Sequence, residues 1–327
     1  MARRVRVIAL GGTIAMEASS GALLPGLGAG DLAALVGTRD AGLEIDWCDR
    51  ARIASANIGF ADLAGLAAEI DDLHAQGYHG VVVSQGTDTL EETAFALELL
   101  VQAPIDIALT GAMRGAGQPG ADGPANLLAA LCFLEASAGG GEVVVVMDDC
   151  VHAARHAEKR HTSSLAAFSS GEAGLRGRIH EGRFRALASA PTRLPKVRDA
   201  DTGRIPQVEL ITVSLGQSAR LFRDAGPDAA DGWVIAAMGA GHVPEHLVPE
   251  LERLARDCPV ILCSRTGAGR VCTQTYGYAG GEIDLLRRGL LPAGALPPLK
   301  ARIALTLLLM DGAGDCRARF ADIVAAI

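Results

Sequence analysis

The chain has 327 residues, of which 49% are hydrophobic, 21% charged and only 4% aromatic, with 40 glycines and a formal net charge of -8. That length and apolar content suit a soluble globular protein with room for two cores built largely from Ala, Val and Leu. The acidic balance, with no basic stripe, argues against a nucleic-acid partner, and no apolar run approaches the ~20 residues that span a bilayer.

The N-terminal run MARRVRVIALGG starts like a signal peptide, but Arg6 interrupts it and no small-residue cleavage site follows, so Val5–Leu10 reads as the first strand. It ends at Gly11-Gly12-Thr13-Ile14-Ala15. Residues 16–30, rich in small residues, read as a loop without secondary structure, followed by a helix over about 31–36. Residues 44–54 are a candidate strand leading to Ser55-Ala56-Asn57, and residues 62–75 are amphipathic through Leu63, Leu66, Ile70 and Leu73.

The stretch GVVVSQGTDTLEET, residues 80–93, is the clearest junction in the chain. Val81, Val82 and Val83 form a β-branched run too short for a helix, Gln85-Gly86 breaks it, and Thr89 with Glu92 has capping-box spacing for a helix carrying Phe95, Leu97, Leu99 and Leu100. Thr87 and Asp88 therefore sit where a strand ends and a helix begins, the edge of an α/β sheet at which ligands bind.

Residues 105–110 are the next strand, and a Gly-rich loop through Ala112 leads to Pro124 at the first turn of a helix ending near Glu135. Residues 142–147 form another buried strand, closed by Asp148-Asp149. Residues 189–206, with Pro191, Pro195 and Pro206, read as a linker between a domain of residues 1–188 that carries most of the site and a smaller one of residues 207–327. The second domain has strands at 208–214, 233–237 and 260–264, a helical stretch at 245–256 and a last helix at about 299–310. Strands alternating with helices define the fold class as α/β, with a larger N-terminal, mostly parallel sheet flanked by helices and a smaller C-terminal α/β domain.

Neither G-x-G-x-x-G nor G-x-x-x-x-G-K-[ST] follows the first strand, which removes the common nucleotide-binding readings. His152, His156 and His161 could share a helix face, but they stand among Arg155, Glu158, Lys159 and Arg160 and read as a solvated charged segment rather than a metal site. The seven cysteines are odd in number, scattered and without C-x-x-C, as free, mostly buried thiols of a reducing cytoplasm would be. Hydroxyl chemistry is what remains. A threonine at a turn is ordinarily a turn or cap residue, and Thr13 and Thr87, each after a glycine at a strand end, become nucleophiles only beside an activating group.

LGGTIA (residues 10–15), QGTDTLEETAFAL (85–97), TGAMR (110–114), ADGPANL (121–127) and KAR (300–302) occur in order along nearly the whole chain and together resemble the bacterial-type L-asparaginase/glutaminase family. The resemblance implies hydrolysis of L-asparagine to L-aspartate and ammonia without metal or organic cofactor. By position, Thr13 is the expected nucleophile that forms an acyl-enzyme, while Thr87, Asp88 and Lys159 form the second catalytic group; Lys159 is assigned through EKRHTSSLAAF. Ser55 and Asp88 are expected to hold the substrate carboxylate and ammonium, with Gly86 and Ala112 lining the site. Backbone N–H groups near Gly12 and Gly86 are candidate oxyanion donors. Glu282, 18 residues before Lys300, is expected to reach a neighbouring subunit's site. The implied partners are the small-molecule substrate and further copies of the chain, as a dimer with shared sites or a tetramer of two dimers.

Departures from the family pattern also stand in the sequence. Residues 15–35 contain no Tyr where the family's mobile loop carries one, so either Tyr276 or Tyr278 substitutes or activation differs. Gln85 replaces a usual His, Ala56 replaces a polar residue, and Ala240 and His242 replace amides near the substrate amine. Competing functions are an amidase preferring L-glutamine or another small amino-acid amide, the ammonia-liberating subunit of a transfer-RNA amidotransferase, and a sensor that binds an amino acid without turnover. Against the amidotransferase reading, such a subunit is expected to carry an extra N-terminal domain, and an acidic surface does not suit RNA.

Overall fold

The computed structural model describes residues 3–12, 16–19, 22–25, 30, 33–34, 42–198, 200–224 and 229–327. The chain divides into two units, Met1–Arg193 and Leu194–Ile327.

In the first unit the elements run β1 (Arg3–Ala9), β2 (Met16–Ser19), β3 (Ala22–Pro25), β4 (Leu43–Asp49), α1 (Phe60–Ala75), β5 (Gly80–Ser84), α2 (Leu90–Leu100), β6 (Asp106–Thr110), α3 (Gly123–Ala136), β7 (Val143–Met147), β8 (Cys150–Ala153), β9 (Glu158–Lys159), β10 (Phe168–Ser169), β11 (Gly177–His180) and β12 (Arg183–Ala186). Eight of these strands form one sheet in the order β12-β11-β8-β7-β6-β5-β1-β4. The five from β7 to β4 are parallel, and the remaining pairs are antiparallel.

The valine runs end up in the middle of this sheet because both of its faces are covered, so strand residues of either parity must be apolar. Val5, Val7, Val82, Ala108, Val144 and Val146 pack with Leu127, Leu131 and Phe133 of α3. Val81, Val83, Leu109 and Val145 point the other way and are equally buried, on the side where α2 meets β6 and β7 and α1 packs on α2. Phe133 also meets Phe184 edge to face at 5.2 Å, an arrangement that adds about 1 kcal/mol to its burial.

Several expectations need correcting. Residues 16–19 and 22–25 form the antiparallel strand pair β2–β3, with Ser19 paired to Ala22; in the sequence, Ser20-Gly21 between them is a hairpin signal. The helix expected over 31–36 falls mostly outside the described residues. His152, His156 and His161 share no helix: His152 lies on β8, buried, with its Nδ1 2.7 Å from Ser170 Oγ. Nor is that segment simply solvated. Arg155 is buried and donates to Glu98 of α2 from Nε (2.9 Å) and a terminal nitrogen (2.6 Å), and to the Thr192 carbonyl. Alternating Arg and Glu in one stretch carry no mark of which partners lie far away in sequence.

The second unit contains β13 (Val208–Thr212), α4 (Arg220–Arg223), β14 (Gly232–Ala237), α5 (Val248–Asp257), β15 (Val260–Ser264), α6 (Glu282–Arg287), β16 (Leu291–Pro292), α7 (Pro298–Asp311) and α8 (Cys316–Ala325). Its sheet, β13-β14-β15-β16, is parallel throughout. Val248, Leu251 and Leu254 of α5 share a core with Trp233, Ile235 and Leu262, while α7 lies against β13, β14 and β15 and is backed by α8. Thus α7 is not the last helix; α8 follows, and the Asp315 side chain caps it by accepting from the Arg317 N–H at 2.9 Å. All seven cysteines are free, but only Cys132 and Cys263 are fully buried, fewer than expected.

Strand order locates the ligand edge. From β1 the chain goes first to β4 on one side and then to β5 on the other, so the switch point lies between β1 and β5, at their carboxyl ends. There the two backbones touch. Gly12 has φ of 92°, and a Cβ on it would stand 2.1 Å from the Gly86 nitrogen. Gly77, with φ of 86°, has open space around it. Gly77→Ala is expected to cost about 1–2 kcal/mol, the left-handed strain alone, and Gly12→Ala distinctly more, because two strand ends must separate; urea unfolding of both variants measures the difference. Arg155→Met, which leaves the Glu98 carboxylate buried without its guanidinium, is expected to lose about 3–5 kcal/mol, read in the same way.

Candidate active site

Five parallel strands deliver their ends to one rim, and three of the turns there carry the candidate residues. After β5 and Gln85, Gly86 is extended and Thr87–Thr89 form a single 3-10 turn before α2 begins. The N–H groups that open such a turn have no partner within it, which leaves Gly86 and Thr87 as backbone donors at the strand end. Thr87 is nearly buried, whereas the Asp88 side chain is exposed.

Lys159 arrives from a distant part of the chain. It lies on β9, a two-residue strand paired with β10 so that Lys159 faces Phe168. Its Nζ donates to Thr87 Oγ1 at 2.9 Å and to Asp88 Oδ1 at 2.7 Å. Two of the three ammonium protons are thereby engaged, and a hydroxyl, an amine and a carboxylate form one cluster. Such a cluster can pass a proton between hydroxyl and amine while the carboxylate balances the charge.

Ser55 begins a 3-10 turn after β4. Its side chain lies against Gly86: a Cβ on that glycine would be 2.7 Å from Ser55 Oγ. Among the described residues the Ser55 hydroxyl makes no hydrogen bond, so it is available to a ligand. Gly111, beyond β6, closes the third side, packed on Gln85 and the Thr87 methyl group. The ADGPANL segment holds that turn in place. Asp122 accepts from the Met113 and Arg114 N–H groups at 2.9 Å each, and Asn126 donates to the Gly111 carbonyl at 3.0 Å while accepting from the Asp148 N–H at 3.0 Å.

Four of the residues singled out in the sequence, Thr87, Asp88, Lys159 and Ser55, therefore meet around Gly86, while Ala112, next to Gly111, belongs to the apolar core cluster. Thr13 lies outside the described residues. Glu282 belongs to the second unit, where its carboxylate is fully buried. Oε1 accepts from the Thr275 and Tyr276 N–H groups at 2.8 Å each, and Oε2 lies 3.4 Å from His242 Nε2. Burial works to raise the Glu282 pKa, but the two amides and the imidazole together hold it below the ordinary carboxylate value. The His242 ring stands edge to face with those of Tyr276 and Tyr278, at 4.7 and 5.6 Å. No group of three His, Cys, Asp or Glu among the described residues is arranged to hold a metal ion.

One expectation at the site fails. Thr89 does not cap α2; its hydroxyl donates instead to the Ser55 carbonyl at 2.9 Å. The capping-box spacing conceals this, since a threonine before a helix looks the same whichever acceptor it finds.

Comparison with known proteins agrees with this geometry on both units. Residues 4–191 match the family model described as asparaginase, N-terminal, and residues 207–319 match the glutaminase/asparaginase C-terminal domain. A probable L-asparaginase of Deinococcus radiodurans is 37% identical over 314 residues, covering 95% of this chain and 94% of the relative. An L-asparaginase of Bacillus licheniformis is 29% identical over 319 residues, 94% of this chain and 96% of its own length. The crystal structure of a probable cytoplasmic L-asparaginase from Campylobacter jejuni superposes with a TM-score of 0.84 at 28% identity, covering 98% of this chain and 99% of that one. Matched along both units, with the motif residues around Gly86 gathered at the sheet's switch point, the chain belongs to the asparaginase family.

Proposed function

We propose that this protein is an L-asparaginase, an amidohydrolase that converts L-asparagine to L-aspartate and ammonia. The observation that carries the reading is the Lys159 ammonium held at once by Thr87 Oγ1 (2.9 Å) and Asp88 Oδ1 (2.7 Å), with the Ser55 hydroxyl close by at the sheet's switch point. The amide carbon is attacked by a threonine hydroxyl, with Thr13 as the primary nucleophile. An ammonium beside Thr87 lowers the cost of an ionised alkoxide there, and the same nitrogen as a free amine takes the hydroxyl proton. Ammonia leaves, and water then resolves the acyl-enzyme. The Gly86 and Thr87 N–H groups stabilise the oxyanion.

Substrate orientation follows from the same three turns. The Ser55 hydroxyl takes the α-carboxylate, Asp88 the α-ammonium, and Gly86 and Ala112 bound the space between them. We place the protein in the cytoplasm, a reading supported by seven free cysteines, and no helix among the described residues is long and apolar enough to cross a membrane. We also propose a homo-oligomer, a dimer with shared sites or a tetramer of two dimers, to which Glu282 contributes. Its support is the partly exposed pair Tyr276 and Tyr278 beside Glu282, since exposed aromatic clusters favour interfaces.

Ammonia release from L-asparagine and L-glutamine by the purified protein tests the function. Asparagine is the expected preferred substrate. Thr13→Ala and Thr87→Ala are expected to abolish turnover, and Lys159→Met to reduce kcat by about 10²–10⁴-fold, the range for losing a positioned proton-transfer group. Full activity of Lys159→Met would remove the cluster from the mechanism. Binding of asparagine without ammonia from either amide would make the protein a sensor, and faster release from glutamine would reassign its substrate.

A further inference from the structure

Ser55 stands in the connection between β4 and α1, and the way this connection is held is uneven. Upstream, Arg50 and Ala51 donate to the Ala9 carbonyl and Ile53 donates to that of Leu10, at 3.0, 3.2 and 3.0 Å. Downstream, the Asp62 carboxylate accepts from the Gly59 N–H at 2.9 Å. Between Ile53 and Gly59, a single hydrogen bond among the described residues ties the turn to another element: the one from Thr89 Oγ1 to the Ser55 carbonyl, at 2.9 Å.

That bond is one step of a directional chain. Gln85 is fully buried, and its Nε2 donates to Thr89 Oγ1 at 3.4 Å and to the Gly86 carbonyl at 3.3 Å. Thr89, accepting from Gln85, points its own proton at Ser55, whose carbonyl also accepts from the Ile58 N–H at 3.1 Å. Both lone pairs of that carbonyl are thus used. Hydrogen bonds in series polarise one another, so the buried amide strengthens the contact made by the hydroxyl. The arrangement leaves the start of α2 without a side-chain cap, a contact usually worth about 1 kcal/mol, so the Thr89 hydroxyl serves the Ser55 turn instead of its own helix.

We propose that Thr89 is a positioning residue for substrate binding, acting through Ser55: it fixes the turn so that the Ser55 hydroxyl faces the substrate carboxylate, and Gln85 sets the direction of the Thr89 proton. This rests on the reading of Ser55 as the carboxylate-binding residue. A residue with this role alters substrate affinity and leaves the chemical step intact, because its hydroxyl, although on the turn that carries Thr87 and Asp88, bonds to Gln85 and to the Ser55 carbonyl and to neither of those reacting groups.

The test uses Thr89→Val, which keeps the β-branched shape and removes the hydroxyl, beside Thr89→Ser, Gln85→Met and Ser55→Ala. KM and kcat for L-asparagine are measured together with the Kd of L-aspartate by calorimetry, which does not depend on turnover. Thr89→Val is expected to raise KM and Kd about tenfold, the effect of one lost hydrogen bond in a partly buried setting, with kcat changed less than about threefold. Thr89→Ser restores both values, and Gln85→Met gives an intermediate rise. Unchanged KM and Kd in Thr89→Val, a fall in kcat alone, or a failure of Thr89→Ser to restore affinity would overturn the proposal. If Thr89→Val does not fold by circular dichroism, Thr89→Ser and Gln85→Met decide: native affinity in Gln85→Met overturns it. Ser55→Ala separates the two levels of inference, because normal affinity in that variant removes the carboxylate reading itself, whereas weakened binding there with normal Thr89→Val removes only the role of Thr89.

Discussion

The contact on which the rest of the site depends is between two stretches of backbone. At the carboxyl ends of β1 and β5 the chain segments around Gly12 and Gly86 approach so closely that a Cβ on Gly12 would meet the Gly86 nitrogen at 2.1 Å. Any side chain there would wedge the strands apart. Because β1 and β5 are neighbours whose outgoing connections diverge, the crevice opens at that point of the parallel rim. Ser55 can lie against Gly86, and Thr87 can face Lys159, only because the backbone between them occupies so little space.

Around this contact the structure separates two kinds of work. The groups that bear charge and reactive oxygen stand on short turns: Thr87 and Asp88 on a 3-10 turn, Ser55 on another, Lys159 on a two-residue strand. Buried or half-buried polar groups fix the turns from behind, Asp122 and Asn126 for the one after β6 and Gln85 with Thr89 for the one that carries Ser55. Reactive residues need a little freedom to follow a changing substrate, and their supports need almost none. Holding the supports in a hydrogen-bonded, largely solvent-shielded setting makes them costly to disturb.

Much of this is legible in the sequence, for identifiable reasons. Three consecutive valines followed by Gln-Gly, and helices such as residues 62–75 with a clean apolar stripe, are local patterns, and local patterns survive into the fold. Lys159 is legible only through family resemblance, since a lysine among Arg, Glu and His looks like any solvated charge. The β2–β3 strand pair and α8 escape a sequence reading because their signals are short, the two residues Ser20-Gly21 in the sequence in one case and a single capping aspartate in the other. The burial of Arg155 and the partner of the Thr89 hydroxyl are illegible for a deeper reason: each depends on a residue tens of positions away, Glu98 and Ser55, and a single sequence carries no record of which distant groups meet.

The smaller sheet ends on β16, just Leu291 and Pro292. An edge strand ordinarily presents a row of free N–H and C=O groups on which another chain can build. Here the row is two residues long and one of them has no N–H to offer. A growing fibril has almost nothing to grip on that side, so this edge resists strand addition at high protein concentration even though the core beneath the sheet is nearly all Val, Ile, Leu and Ala.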